Sequence, residues 1–286
     1  MTLRVERLHY TYPGASEPTL RGIDLEADEG EIVGILGASG AGKTTLQRVL
    51  IGMLPGYEGS VAVFGEQLAA LGKEYNERIG VAFEFPNFYQ RLTALENLNF
   101  FRSLYRRPGP SVESLLASVG LADAARKRVS SFSKGMRMRL NFCRALLNDP
   151  ELLFLDEPTS GLDPANAKRM KDLILELKRR GKTVLLTTHN MALAEELCDR
   201  IAWLEGGRFR LFDSPSSLKA LRGAKRVRIE YADGESVGRA EFELSTLGAN
   251  AEFAKLIATR TILSMHTTES SLEDVFLDAS AGRKSS

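Results

Sequence analysis

Residues 36–45 read Leu36-Gly37-Ala38-Ser39-Gly40-Ala41-Gly42-Lys43-Thr44-Thr45. The stretch fits the pattern G-x-x-x-x-G-K-[S/T]. An apolar run, Ile32-Val33-Gly34-Ile35-Leu36, leads in and reads as a short buried strand. Residues 45–51, from Thr45 through Leu46, Val49 and Leu50, read as a helix. Strand, glycine loop and helix is the order this pattern needs to act as a phosphate cradle. Glycines let successive N–H groups turn toward one anion, and the helix N-terminus adds its positive dipole end. Gly37, Ala38, Ser39, Gly40, Ala41, Gly42, Lys43, Thr44 and Thr45 are therefore the candidate phosphate-binding residues. Lys43 brings a full charge to the β- and γ-phosphates, and the Thr44 hydroxyl suits Mg²⁺, a hard ion that prefers oxygen. Without its flanking strand and helix the stretch would be a glycine-rich turn with a chance lysine.

The second decisive stretch is Leu152-Leu153-Phe154-Leu155-Asp156-Glu157. A buried strand that ends in two acids delivers them to the ligand crevice of an α/β sheet. Asp156 can hold Mg²⁺, and Glu157 can polarise a water for attack on a γ-phosphate. Many strands end in acids; the phosphate loop upstream gives this pair its meaning.

Around these stretches the chain alternates strands and helices. Strands are predicted at residues 3–10, 20–25, 60–64, 79–85, 152–155, 183–187, 201–204 and 208–212. Between 86 and 148 the pattern turns helical. Residues 93–107 form one helix, with Thr93 as cap, Glu96 three residues on, and Leu95, Leu98, Phe101 and Leu104 as its apolar face. Further helices are predicted at 111–119, 121–128 and 136–148, then at 164–180 and 191–198. Beyond Asp213-Ser214-Pro215-Ser216-Ser217 the alternation of Val227, Ile229 and Tyr231, then Phe242 and Leu244, then Ile262 and Met265, predicts a small α+β unit. Residues 280–286 read as a frayed end.

The chain has 286 residues and 43% hydrophobic content, ordinary for one large or two smaller globular domains. With 38 basic and 37 acidic residues its net charge is +1, which gives no reason to expect a polyanion or anionic lipid partner. Cys143 and Cys198 form no metal pattern and read as buried apolar residues of a reducing compartment. The first residues contain no signal core, and no apolar run approaches a membrane span. The expectation is a soluble cytoplasmic protein that meets a membrane only through a partner.

Five further features follow in order, and with them the chain resembles the ATP-binding cassette family, the nucleotide-binding subunits of ABC transporters, over residues 1–215. Ser133-Lys134-Gly135-Met136-Arg137 stands where that family has its signature, a helix start that presents Ser and Gly to the γ-phosphate bound by a second subunit. It departs from the common leucine-serine-glycine-glycine-glutamine form at Phe132, Lys134 and Met136, so only Ser133 and Gly135 carry over. Ser160-Gly161-Leu162-Asp163 resembles the D-loop that crosses the dimer interface; Asp163 also suits capping of the next helix. His189 matches the switch histidine. Tyr12 sits where the family stacks an aromatic on adenine, with Tyr10 as a rival. Val81-Ala82-Phe83-Glu84-Phe85-Pro86 aligns with the Q-loop, but Glu84 replaces the usual glutamine; Gln90 is a more distant substitute. Glu84, residues 88–98, Ser133-Lys134-Gly135-Met136 and the tail Ser271-Leu272-Glu273-Asp274-Val275-Phe276-Leu277 are most similar to the ABC-2-type exporter branch.

The resemblance implies an α/β P-loop NTPase fold with a helical subdomain inserted at 86–148, an antiparallel β subdomain, and a small extension at 216–286. It implies ATP hydrolysis with Mg²⁺, Glu157 and His189 being catalytic and Thr44, Glu84 and Asp156 near the metal. Ser133, Gly135 and Asp163 would come in trans from a second subunit, most simply a homodimer. A separate transmembrane permease would be driven, in the export direction. The competing reading is a soluble, non-transport ABC ATPase linked to translation or DNA. Translation-factor relatives carry two cassettes and DNA-linked ones a long coiled-coil insert; this chain has one cassette, a short insert and near-neutral charge. A phosphate-loop kinase or GTPase would not need the serine-glycine segment, the D-loop or His189. In the extension, Arg222, Lys225, Arg226 and Arg228 form a basic cluster that reads as a solvated face.

Overall fold

A computed structural model describes residues 1–107, 109–222, 226–234, 236–268, 271–273 and 275–276. The chain divides into two compact units, Met1–Phe212 and Asp213–Ser286. In chain order the first holds β1 (Leu3–Tyr10), β2 (Leu20–Ala27), β3 (Ile32–Leu36), α1 (Lys43–Leu50), β4 (Glu58–Val63), β5 (Glu66–Gln67), α2 (Glu74–Arg78) and β6 (Ile79–Ala82). Then come α3 (Ala94–Arg102), α4 (Val112–Ser118), α5 (Lys134–Ala145), β7 (Leu152–Asp156), α6 (Pro164–Arg179), β8 (Thr183–Thr188), α7 (Met191–Leu197), β9 (Arg200–Glu205) and β10 (Arg208–Asp213).

Two sheets organise this unit. The larger runs β10-β9-β3-β8-β7-β6, and its β3/β8, β3/β9, β6/β7 and β7/β8 pairs are parallel. All residues of β3 and β8 are buried, as continuous apolar or β-branched strands covered on both faces should be. The smaller sheet, β2-β1-β4-β5, is antiparallel in its β1/β2, β1/β4 and β4/β5 pairs. Val5, Leu25, Val61 and Val63 of that sheet share one core with Val33, Ile35, Leu46 and Phe154. A P-loop NTPase fold with an antiparallel β layer and an inserted helical segment is what the sequence led one to expect.

Several element ends differ from the sequence reading. β6 stops at Ala82 rather than 85, because its ladder with β7 ends at Ala82↔Leu155 and the Phe83 carbonyl is taken by Asn141 Nδ2 at 2.7 Å. The helix predicted to 107 ends at Arg102, whose guanidinium turns to the carbonyls of Pro110 and Gly109 at 2.6 and 3.0 Å. Leu104 therefore leaves the apolar face and is 64% exposed. No α-helix forms at 121–128; only a 3₁₀ turn, Ala122–Ala124, is present. The carbonyls of Ala125 and Lys127 instead accept from Leu95 and Ala94 N–H at the start of α3, groups that no intrahelical partner could satisfy. Residues 65–78, given no element from sequence, contain β5 and α2.

Other local signals act as their chemistry dictates. Thr93 and Glu96 form a reciprocal capping box on α3. Pro164 opens α6 and Asp163 caps it. Gly80 is needed where α5 crosses β6, since a Cβ there would collide with the Ala145 carbonyl oxygen. Cys143 and Cys198 are buried and unpaired by disulfide, and burial pushes both thiols up.

The second unit contains α8 (Pro215–Arg222), β11 (Arg226–Asp233), β12 (Ser236–Glu243), α9 (Ala251–Thr259) and β13 (Ile262–Thr268). Its antiparallel sheet runs β12-β11-β13. Val227, Ile229 and Phe242 form a small core against Phe253, Leu256 and Ile262. Leu244, expected in a strand, begins a 3₁₀ turn. The basic cluster is in part an ion-paired face: Arg228 meets Glu241 at 2.6 Å. Lys225 and the Arg222 side chain lie outside the described residues, as do Asp274 and Leu277 of the tail and residues 280–286.

Candidate functional site

The sheet register builds the site. Leu36 pairs with Thr188, Asp156 with Thr187 and Ala82 with Leu155. The residues that leave the ends of β3, β7, β8 and β6 are therefore neighbours: Gly37, Glu157, His189 and the Phe83-Glu84 turn. Ser39, Gly40, Gly42, Lys43, Thr44, Thr45, Glu84, Asp156, Glu157 and His189 line one cavity of about 480 Å³ together with Thr19. Thr19 carried no motif signal; it enters the wall because it directly precedes β2.

The loop has the backbone its role demands. Gly42 stands at φ +112, a region that disfavours side chains, and a Cβ at Gly37 would strike the Leu204 carbonyl oxygen. The helix that starts at Lys43 has no side-chain cap and no acid in its first turn. α3, α4, α5, α6 and α7 are each capped, by Thr93, Ser111, Ser133, Asp163 and Asn190. α2 also lacks a side-chain cap but carries Glu74 and Glu77 in its first turn, so the uncapped N–H groups of α1 are the ones suited to an anion. Lys43 Nζ donates to the Gly37 and Ala38 carbonyls at 2.6 and 3.0 Å. Burial holds its pKa below the usual lysine value, against the opposing pull of Glu157, Asp156 and Glu84.

Asp156 accepts from Thr187 Oγ1 at 2.5 Å. Burial raises its carboxyl pKa; the Thr187 hydrogen bond opposes that shift and the Glu157 charge adds to it. Glu157 is 8% exposed and held at φ +47, a strained conformation for a side-chain-bearing residue. Its backbone N–H donates to the Thr187 carbonyl at 2.9 Å. Oε2 accepts from Thr188 Oγ1 at 2.9 Å, and Oε1 accepts from the His189 N–H at 2.8 Å. His189 Nδ1 also lies 2.7 Å from Oε1, so the carboxylate selects the Nδ1–H tautomer. The imidazole is otherwise open, its side chain 77% exposed.

Of the two aromatic candidates, Tyr10 is buried at 5% exposure. Tyr12 packs edge-on against it with centroids 5.1 Å apart, and its hydroxyl is 3.2 Å from Thr45 Oγ1. Glu84 lines the cavity and Gln90 does not; the Gln90 amide donates to the Phe88 carbonyl instead. Ser133, Gly135 and Asp163 also lie outside that lining. Ser133 Oγ accepts from Met136 N–H at 3.2 Å, and Asp163 accepts from Asn166 N–H at 3.0 Å. A Cβ on Gly135 would be 3.2 Å from the Gly161 carbonyl oxygen, so the start of α5 rests on the 160–163 loop. Further along α5, Asn141 reaches the Phe83 carbonyl and Arg144 Nη1 the Asn87 carbonyl at 3.0 Å, so this helix also grips the Glu84 turn from behind. Sequence patterns do not reveal these two contacts.

A glycine loop with an uncapped helix, a lysine over it and two acids beside it define a P-loop ATPase. The model of the ABC transporter family matches residues 20–160, and that of a fluoroquinolone efflux ABC transporter C-terminal domain matches residues 225–269. The chain is 50% identical over 277 residues to a fluoroquinolones export ATP-binding protein of Mycobacterium tuberculosis, covering 96% of this chain and 92% of that one. It is 40% identical over 210 residues to the Nod factor export ATP-binding protein I of Rhizobium meliloti, covering 72% and 63%. Among solved structures, an ATP binding subunit of an ABC transporter aligns with TM-score 0.71 at 29% identity, over 77% of this chain and 93% of that one. A dimeric ATP-binding cassette in a post-hydrolysis state with ADP and Pi aligns with TM-score 0.66 at 28% identity, over 74% and 98%. The chain belongs to the ATP-binding subunits of ABC transporters and hydrolyses ATP.

Proposed function

We propose that this chain is the motor of an exporter, in which two copies close over two ATP molecules and drive a separate membrane permease from its cytoplasmic face. One geometric fact carries this. Lys43, Thr44, Glu84, Asp156, Glu157 and His189 share one cavity, whereas Ser133 and Gly135 open a helix outside it. The Ser133 hydroxyl and the Gly135 N–H would thus be offered to another molecule.

Each residue then has a task. Tyr12 offers its ring to the adenine. The N–H groups of 37–45 and Lys43 bind the β- and γ-phosphates, Lys43 exchanging its two carbonyl contacts for phosphate oxygens. The Thr44 hydroxyl and the Asp156 and Glu84 carboxylates are oxygen donors suited to Mg²⁺. Mg²⁺ keeps several waters and is commonly held by one or two carboxylates together with substrate phosphates. Bound there, Mg²⁺ would neutralise charge on the phosphates. Glu157 orients and polarises the attacking water, held in place by Thr188 and His189. His189 turns from Oε1 toward the γ-phosphate when ATP is present. Ser133, Gly135 and the Asp163 loop complete the site from the other copy, and loss of the γ-phosphate releases that link.

The permease contact has a candidate seat. A cavity of 640 Å³ has an apolar wall that includes Val81, Phe83, Phe101 and Leu104 and a charged wall that includes Glu77 and Arg106. Phe85 beside it is 75% exposed, and Tyr89 and Phe100 are also exposed. Of the apolar face predicted for 93–107, Leu98 is buried, while Leu104 and the neighbouring Phe100 face outward. An apolar cytoplasmic helix of the permease would cover them. Among the described residues no helix is long and apolar enough to cross a membrane, so the span would belong to that partner.

Similarity to the mycobacterial protein over both units supports fluoroquinolone-type compounds as the cargo. The test is export from cells carrying the chain with its permease. Glu157→Gln should abolish ATP-dependent efflux of a fluorescent fluoroquinolone. Unchanged accumulation on deleting the chain would refute the cargo.

A further inference from the structure

Two residues depart from the family pattern at the nucleotide site with opposite charge. Glu84 stands where glutamine is usual, and Lys134 stands where glycine is usual. On the Glu84 side the balance is already unfavourable to an anion. The single ammonium of Lys43 faces the carboxylates of Asp156, Glu157 and Glu84 across one cavity. A nucleotide adds more negative charge there than a Mg²⁺ held by Thr44, Asp156 and Glu84 would offset, and the Glu84 carboxylate is a charge that glutamine would not bring.

Lys134 is poorly placed for its own helix. It is the first residue of α5, where a cation opposes the dipole, and no acid in the first turn offsets it. Its stem is nevertheless held. A Cβ on Gly161 would lie 3.0 Å from Lys134 Cδ and 3.1 Å from Cε, so the methylenes lie across the 160–163 loop. The residue is exposed, and among the described residues its ammonium has no ion-pair or hydrogen-bond partner. Ser133 and Gly135, the proposed trans donors, flank it.

We infer that Lys134 is a counter-charge supplied in trans: as two copies close over ATP, Lys134 of one faces the γ-phosphate beside Glu84 of the other and offsets that carboxylate. This rests on the two-copy reading above. Closure then carries a charge term that the usual glutamine and glycine would not have. Glu84 adds a negative charge beside the γ-phosphate in both states, and Lys134 offsets it only in the closed one. Lys134 is a positioning residue, acting on the closing equilibrium through a partner carboxylate and a phosphate.

The test is a double-mutant cycle on the full chain in a Glu157→Gln background, reading the ATP-dependent dimer constant by sedimentation. Lys134→Gln keeps the stem and removes the charge; it should weaken the dimer about tenfold, or about 1.4 kcal/mol. Lys134→Arg should stay within about twofold of the parent, since it keeps the charge. In Glu84→Gln protein, Lys134→Gln should cost about twofold or less, and the coupling should shrink as salt rises to about 0.5 M. Additive effects of the two substitutions, or equal damage from Lys134→Arg and Lys134→Gln, would overturn the coupling and leave the two-copy site standing. If the parent forms no dimer with ATP, the two-copy site itself fails and the inference falls with it.

Discussion

Glu157→Gln separates the chemistry of the site from its architecture. The side chain keeps its size, and three donors converge on it in the native protein: Thr188 Oγ1, His189 N–H and His189 Nδ1–H. The amide oxygen can keep the two His189 contacts at the Oε1 position. The amide NH₂ then faces Thr188 Oγ1, which already accepts from Asn190 N–H at 3.0 Å and has a second lone pair free. Charge-assisted bonds are lost, but so is the desolvation of a carboxylate at 8% exposure. The two nearly cancel, so folding stability should change by about 1 kcal/mol or less, a melting shift of about 2–4 °C at most. Turnover should respond very differently, because an amide cannot take a proton from water. Loss of a general base lowers rate about 10²–10⁴-fold, which is about 2.7–5.5 kcal/mol of barrier. Phosphate release under saturating MgATP measures the second effect and thermal unfolding the first. Sedimentation should show an ATP-trapped dimer. A variant that melts normally and keeps more than about a tenth of the phosphate release would refute Glu157 as the base.

Three further outcomes follow from the same cavity. Lys43→Ala should weaken ATP binding about 10- to 100-fold in a filter assay, since a charged donor to phosphate is lost. Because burial lowers the Lys43 pKa, wild-type ATP affinity should fall with rising pH at values below the ordinary lysine 10.5, a drop absent from Lys43→Ala. For Asp156 the shift is upward, so the unfolded chain releases this proton at lower pH than the folded one. Stability from this group is therefore full in acid and lost as pH rises through the folded value. Asp156→Asn should raise the melting temperature at neutral pH while abolishing Mg²⁺-dependent hydrolysis; a lower melting temperature would contradict the burial argument. Glu84→Gln should alter the Mg²⁺ dependence of turnover more than ATP affinity. Identical Mg²⁺ titrations would remove Glu84 from the metal's surroundings.

Much of the site was legible because its signals are local. The phosphate loop needs only neighbouring residues to define its backbone, and the 152–157 strand carries its acids at its own end. Thr93 with Glu96 and Asp163 before Pro164 announced their helices by the same short-range chemistry. What escaped was decided by distant partners. The strand at 79 ends early because its ladder with β7 stops at Ala82↔Leu155 and Asn141 takes the next carbonyl. The helix at 93 ends early because Arg102 closes on Pro110 and Gly109. The 121–128 segment unwinds to serve the free N–H groups of α3. Thr19 reached the cavity through tertiary placement alone. Tyr12 was preferred to its rival Tyr10 on motif position, and the burial of Tyr10 at 5% exposure is a tertiary fact that spacing does not carry.

The grip of α5 on the Glu84 turn has a mechanical meaning. Asn141 is fully buried and joins the helix to the Phe83 carbonyl, and Arg144 ties the same helix to Asn87 while lying 5.0 Å over the Phe88 ring. One end of this rod begins at Ser133 and the other is bolted to the segment that carries Glu84. In the two-copy arrangement proposed above, a push on the groove around Phe101 would move this rod as one piece. It would then reach two nucleotides at once, the copy's own through Glu84 and its neighbour's through Ser133.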